Sequence, residues 1–289
     1  MKVTLYDNGK RVSHISVICM FRNNEDYIVK FFKNITTEME NMYDTTFNYF
    51  IIENDSNRDN TRQILREFIK TKSDKSKLLL FNLENDYRNI GDGKNFERLY
   101  NLGKIRNKLV DGIVPLDSDW CLFIDSNIYF KKEILQHMFT RSDDSIGMMV
   151  PYTQQLFIPE IHGKYMKLEK PTLYRHYYDT FSFYTKNNKT FWPYCAFEKC
   201  NYCSRRNCNH REVISKDEDI VDVGACFSGF ALIRTEIINN EKIRWDTASY
   251  EINKDESLCE HFLFCYLLRK LTDKRIVMLQ NIDDIFRTY

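Results

Sequence analysis

The sequence predicts an α/β fold, a mostly parallel central sheet flanked by helices and followed by a loop-rich second half. Three observations carry that expectation. Strand-like apolar runs alternate with helical periodicity through about the first 125 residues, the pattern of right-handed βαβ units. Trp120–Ile124 is an unbroken apolar run, as in a strand buried on both faces. That run ends on Asp125-Ser126-Asn127, where the chain leaves the sheet, and open α/β sheets bind ligands at the carboxyl ends of their strands.

The elements follow in order. Ile15–Met20 reads as the first strand, and Tyr27, Ile28, Phe31, Phe32, Ile35 and Met39 then recur at helical spacing. Phe47–Ile52 is a second strand, followed by a helix with Ile64, Leu65, Phe68 and Ile69 on one face. Lys77–Leu83 is a third strand, and Phe96–Val110 a helix with Leu99, Leu102, Ile105 and Leu109 inward. The second half is less regular. Strands are expected at Ile146–Pro151, Phe227–Arg234 and Arg275–Gln280 and a helix at Glu256–Leu271, while residues 152–220 are rich in Tyr, Lys, Asn and Cys. No repeat or low-complexity linker interrupts residues 1–289, so one domain is expected. Its two halves would span 1–130 and 131–289, with a Cys-rich insertion at 190–212.

Bulk properties narrow the function. The 289 residues are 43% hydrophobic and 15% aromatic, enough for a substantial core. Net charge is +1, which argues against a chain devoted to gripping nucleic-acid backbone. Met1 to Lys10 lack a signal-peptide core, and no window reaches the roughly 18–20 apolar residues of a membrane span. Cytoplasmic residence is the expectation.

Asp125 and Asn127 stand two residues apart and offer oxygen ligands for a hard cation, which would in turn need an anionic partner such as a diphosphate. Asn127 brings no charge, so cation affinity without substrate is expected to be weak. Asp117-Ser118-Asp119 has a similar spelling but precedes the strand and should face the opposite edge of the sheet.

Several segments together resemble the GT-A fold of nucleotide-sugar glycosyltransferases, and in particular fungal capsule-type mannosyltransferases and related viral enzymes. They are Ile15–Glu25, Ile52–Thr61, Lys104-Ile-Arg-Asn-Lys108, Asp125-Ser-Asn127, Tyr178-Asp-Thr-Phe181, Ser228-Gly-Phe230 and Cys259-Glu-His261. The resemblance covers most of the chain in order. It implies a GT-A-like (Rossmann-like) sheet and metal-dependent transfer of a hexosyl or pentosyl group. The donor would be a UDP- or GDP-sugar and the acceptor a glycan or other hydroxyl compound, with Mn²⁺ or Mg²⁺ as cofactor. Arg22, Glu53, Asp55, Arg106 and Asp125 would bind the donor. Acidic groups suit the hydroxyls and N–H groups of a nucleoside, and Arg suits phosphate. Asp125, Asn127 and His261 would hold the cation. Glu260 or Asp246 would serve as base, and Asp179, Trp192 and Trp245 would meet the acceptor. Simpler roles stand beside these: Asp55 as a turn former, Asp59 as a helix cap, Arg106 as a solvated charge, Glu260 as a helix-start carboxylate.

Cys195, Cys200, Cys203 and Cys208, with His210, have the density of a structural zinc site, although the spacing is no standard finger. Free thiols and disulfides are the other readings, the last requiring an oxidising compartment. Two rival functions use the same features: a nucleotidyltransferase acting on sugar phosphates, disfavoured by the lack of a Gly-rich phosphate loop, and a non-catalytic zinc knuckle on nucleic acid, disfavoured by the charge balance.

Overall fold

The computed structural model describes residues 2–54, 57–81, 96–157, 160–161, 164–165, 174–177, 179, 182–188, 218–246, 259–280, 282 and 285–287. Its frame is a nine-stranded sheet. In chain order the strands are β1 (His14–Phe21), β2 (Thr46–Asn54), β3 (Lys77–Phe81), β4 (Trp120–Ile124), β5 (Ile146–Pro151), β6 (Tyr184–Thr185), β7 (Ile220–Ala225), β8 (Phe230–Arg234) and β9 (Arg275–Leu279). Their spatial order is β6-β7-β9-β5-β8-β4-β1-β2-β3. The β4-β1-β2-β3 half is wholly parallel, and only β7 and β8 run against the other strands. The expected mostly parallel sheet is present.

Interior strands pair on both edges and are covered on both faces, so their sequences are continuously apolar. Ile15, Val17 and Cys19 of β1 face one core layer and Ile18 the other, as the two-residue strand period requires. The first layer lies under α1 (Glu25–Ile35) and α2 (Thr61–Lys70), where Ile28, Phe31, Phe32 and Ile35 form a stripe at i, i+3, i+4 and i+7. Phe32 stacks on Phe68 at 3.6 Å and joins the two helices. α4 (Ile134–Phe139) also packs on the first layer, and the second lies under α3 (Phe96–Asp111), α5 (Thr235–Ile238) and α6 (Glu260–Leu271), with Leu109, Val110, Phe264 and Leu268 inside. Each fully buried side chain of this size contributes about 1.5–3 kcal/mol.

One boundary differs for a physical reason. The strand expected from Phe227 starts at Phe230, because Ser228 and Gly229 adopt φ of 57° and 65°, left-handed backbone that cannot continue a strand. Of the strand expected over Lys77–Leu83, Lys77–Phe81 is present and residues 82–83 lie outside the described residues. Asp119 faces away from the carboxyl edge, as anticipated: its Oδ2 accepts the Ser13 and His14 backbone N–H groups at 2.8 and 3.0 Å, at the start of β1. Among the described residues no helix is long and apolar enough to cross a membrane.

Candidate active site

Because β1, β2 and β4 are parallel, Arg22, Glu53 and Asp125 emerge on one edge of the sheet. The loops after β1 and β2 are laced together there. Asn23 donates its N–H to Asn57 Oδ1 at 2.8 Å, and Arg58 returns its N–H to Asn23 Oδ1 at 2.9 Å. Asp59 accepts from Glu25 N at 3.1 Å and Thr61 N at 3.1 Å, so it caps the starts of both helices. Glu53 braces this arrangement rather than presenting free acceptors to a nucleoside. It is 1% exposed, with Oε1 taken by Arg62 Nε and Oε2 by Asn57 Nδ2, each at 3.0 Å. Arg22 stands half-buried at the same edge.

Asp125 begins the turn after β4. Its N–H donates to Gly229 O at 2.9 Å, and its carbonyl accepts from Ile128 N at 3.1 Å. Gly229 leaves room for the carboxylate, since a Cβ there would lie 3.1 Å from Asp125 Oδ2 and 2.9 Å from Ile128 Cδ1. Asn127, half-buried, lies two residues on.

Asp179 turns its carboxylate inward. Oδ2 accepts the Ser182 hydroxyl at 2.5 Å and the Ser228 N–H at 3.2 Å. Burial raises this carboxyl, the negative charges of Asp125 and Glu260 add to the effect, and the Ser182 hydrogen bond only partly offsets it; the result is about 6. Asp125, Asp179 and Glu260 therefore share one electrostatic neighbourhood.

Glu260, the first residue of α6, is 3% exposed and bonded to Arg106 Nη1 at 2.5 Å. Burial alone would raise its carboxyl, but the adjacent guanidinium outweighs this and holds it at about 2. A carboxylate so firmly ionised is a poor proton acceptor. The pairing with Arg106 argues against Glu260 as the base, and it occupies Nη1 of the Arg106 guanidinium. The next residue, Asn107, clamps the backbone of Trp245, giving its Nδ2 to Trp245 O at 2.6 Å and accepting Trp245 N at 2.9 Å. The Arg-Asn pair of α3 is thus a double clamp on the other half of the chain.

Trp245 is 1% exposed, stacked on Phe264 at 4.1 Å and packed against Phe123 at 5.3 Å. Its ring faces are occupied by the core, so the expected stacking against an acceptor is corrected. Its indole Nε1 donates to His261 Nδ1 at 3.1 Å. His261 in turn stacks on Phe227 at 3.7 Å, and its Nε2 lies 3.7 Å from Glu260 Oε1. Burial, reinforced by the Arg106 charge, lowers the imidazole to about 3, so the ring is neutral. The Cys259 thiol donates to Glu260 Oε2 at 3.3 Å, and burial pushes it well above the usual thiol range.

The structure thus brings Arg106, Asp125, Asp179, Glu260, His261 and Trp245 together. Asp246 follows Trp245, half-buried. Asp55, Trp192, Cys195, Cys200, Cys203, Cys208 and His210 lie outside the described residues. Sequence reasoning missed Ser182, whose signal was its place three residues after Asp179 as a local hydrogen-bond partner. It also missed Asn107, which was read only as part of a motif.

No protein-family model matches the chain, and no curated protein matches it. Solved structures do. GalNAc-T7 with UDP, GalNAc and Mn²⁺ is similar at TM-score 0.52 and 13% identity, over 98% of this chain and 44% of that one. S. aureus TarS 1–349 in complex with UDP is similar at TM-score 0.50 and 17% identity, over 96% of this chain and 60% of that one. The chain therefore spans about three fifths or less of these proteins' own length. These likenesses carry the fold, which is the GT-A fold of glycosyltransferases.

Proposed function

We propose that this chain transfers a sugar from a UDP- or GDP-linked donor to a hydroxyl acceptor, such as a glycan, at the carboxyl edge of β1, β2 and β4. The observation that carries the reading is the placement of Asp179: an inward carboxylate with raised proton affinity beside Asp125, on a GT-A fold. The resemblance to capsule-type mannosyltransferases rests on the motifs around Arg106, Asp125 and Glu260. Residues 1–130 would form the donor half and residues 131–289 the acceptor half.

The residues at this edge suit a divalent cation. Asp125 supplies a carboxylate and Asn127 an amide oxygen at the strand end, and both are ligands suited to Mn²⁺ or Mg²⁺. The negative field that raises Asp179 comes partly from Asp125 and favours a cation beside it. When bound, such a cation supplies Lewis-acid stabilisation of the departing diphosphate.

The protein's own groups do the rest. Asp179 takes the proton of the acceptor hydroxyl as that oxygen bonds to the anomeric carbon, and the bond from that carbon to the diphosphate oxygen breaks. The electron pair leaves with the nucleoside diphosphate, so the displacement inverts the anomeric centre. In the metal-free protein this carboxyl stands at about 6 and that of Glu260 at about 2, so Asp179 is the stronger base of the two. As the resemblance implies, Arg22 would meet the phosphates, and Asp246 and Trp192 would meet the acceptor. The test is a screen of nucleotide-sugars with Mn²⁺ for hydrolysis or thermal stabilisation, wild type beside Asp125→Asn and Asp179→Asn. Stabilisation of the wild type by at least one donor, lost in Asp125→Asn, is expected; no donor stabilising the wild type would end the proposal.

A further inference from the structure

Cys259, Glu260 and His261 place a sulfur, a carboxylate oxygen and a ring nitrogen within 4.8 Å of one another, a grouping that by distance alone resembles a metal centre. The hydrogens say otherwise. Trp245 Nε1 can only donate, so the nitrogen that receives it at 3.1 Å, His261 Nδ1, carries the lone pair. A neutral imidazole has one lone pair and one N–H, so Nε2 carries the proton and cannot coordinate a cation. A half-turn of the ring would keep the Phe227 stack but set a C–H where the indole N–H points, so the indole bond selects the orientation seen. Glu260 is surrounded by donors as well. Arg106 Nη1 points at Oε1 from 2.5 Å, and the Cys259 thiol points at Oε2 from 3.3 Å. A cation entering this space would meet a fixed guanidinium and two protonated groups.

We infer that the Cys259–Glu260–His261 cluster is a hydrogen-bond hub and not a metal centre, that the cation of the proposed reaction is held without His261, and that Trp245 is the positioning residue that fixes His261 as an Nε2–H donor. Arg106 and Asn107, adjacent on α3, secure the hub from two sides, one through Glu260 and the other through the Trp245 backbone. The assignment rests on the proposed function only in naming the cation; the tautomer stands on the geometry alone.

The experiment uses the full chain, stripped of metal and labelled with ¹⁵N-histidine. His261 is one of six histidines, so its ring signals are those absent from His261→Gln. Wild type is expected to show Nε2 protonated and Nδ1 bare. Trp245→Phe keeps an aromatic ring but removes the donor, and is expected to yield mixed tautomers. Mn²⁺ alone is then titrated into each protein. His261→Gln and Cys259→Ser should bind it within about twofold of wild type, whereas Asp125→Asn should weaken binding by about tenfold or more. A bare Nε2 in wild type, an unchanged tautomer in Trp245→Phe, or a loss in His261→Gln equal to that in Asp125→Asn would overturn the inference. If Mn²⁺ alone binds wild type too weakly to titrate, the nitrogen spectra decide. Failure of the transferase reading would look different: no nucleotide-sugar turned over, with the tautomer as assigned.

Discussion

Asp179→Asn is expected to abolish transfer and, above about pH 6, to stabilise the protein. Asn is nearly isosteric, and its side-chain oxygen can still accept the Ser182 hydroxyl and the Ser228 N–H. The ionisation is lost, together with the long 3.4 Å bond from the Ser182 N–H to Oδ1. The carboxyl is raised from 3.8 to about 6. Between those values the folded chain holds a proton that the unfolded chain has released. The folded state then binds more protons, so stability falls as pH rises through the window. Below it both states are protonated and the cost vanishes; above it the cost is complete. Two pH units correspond to about 3 kcal/mol. Solvent reaches part of the residue, so about 1–2 kcal/mol is the gain expected for the Asn variant at neutral pH.

Urea unfolding of both proteins in the presence of a chelator, at several pH values from about 4 to about 8, measures this directly. The gap should open from near zero at the acid end to its plateau above about pH 6. Transfer should fall by about 10²–10⁴, the usual worth of a general base. A gap that is flat with pH, or an Asn variant less stable than wild type at neutral pH, would refute the placement of Asp179 as an inward carboxylate under negative field. Retained activity would refute its role as base.

Three further outcomes are expected. Glu260→Gln leaves the Arg106 charge buried without a counter-charge and should cost about 3–5 kcal/mol, much of it recovered in the Arg106→Met/Glu260→Met double variant; a single-variant cost below about 1 kcal/mol in urea unfolding would contradict the pair. Gly229→Ala meets both a positive φ and Ile128 Cδ1 at 2.9 Å, so it should lose about 1–3 kcal/mol and displace Asp125, whereas Gly103→Ala, with 3.6 Å to Trp245 inside a helix, should be tolerated; equal thermal stabilities would argue against the turn as described. If Cys195, Cys200, Cys203, Cys208 and His210 form a structural zinc site, elemental analysis should return about one zinc per chain, and less than about half an equivalent would favour free thiols.

What the sequence disclosed was governed by local pattern. β1, β2 and β4 are legible because a strand buried on both faces must be apolar throughout, and the polar residue ending such a run must lie at the sheet edge. That reasoning placed Asp125 at the carboxyl edge and Asp119 at the other. Burial of single polar groups was not legible, because it depends on partners far along the chain. Arg106 meets Glu260 across 154 positions, and Asn107 holds Trp245 across 138. Glu53 looked like a free acceptor because nothing in its loop announces that Asn57 and Arg62 both turn back onto it. Trp245 looked like a stacking platform because an aromatic residue in an irregular segment carries no mark of which side it faces.

The same blindness explains why the proposed base is not the carboxylate that the sequence favours. By sequence, Glu260 opens a helix beside a histidine and looks reactive, while Asp179 sits in an irregular Tyr-rich stretch. By environment the order reverses. Glu260 has a guanidinium at 2.5 Å and is held ionised; Asp179 has only hydroxyl and amide donors, and two negative neighbours. Environments that push two acids apart in proton affinity divide their labour, one keeping a fixed charge and the other exchanging a proton near neutral pH. The ionised Glu260 is also one of the charges that raises Asp179, so the Arg106 pair bears on the proposed base through Glu260. Removing both partners takes away that negative neighbour without leaving a buried charge. In Arg106→Met/Glu260→Met the acidic limb of the pH–rate profile should therefore move to lower pH. A limb that stays put in that variant would mean that Asp179 does not set it.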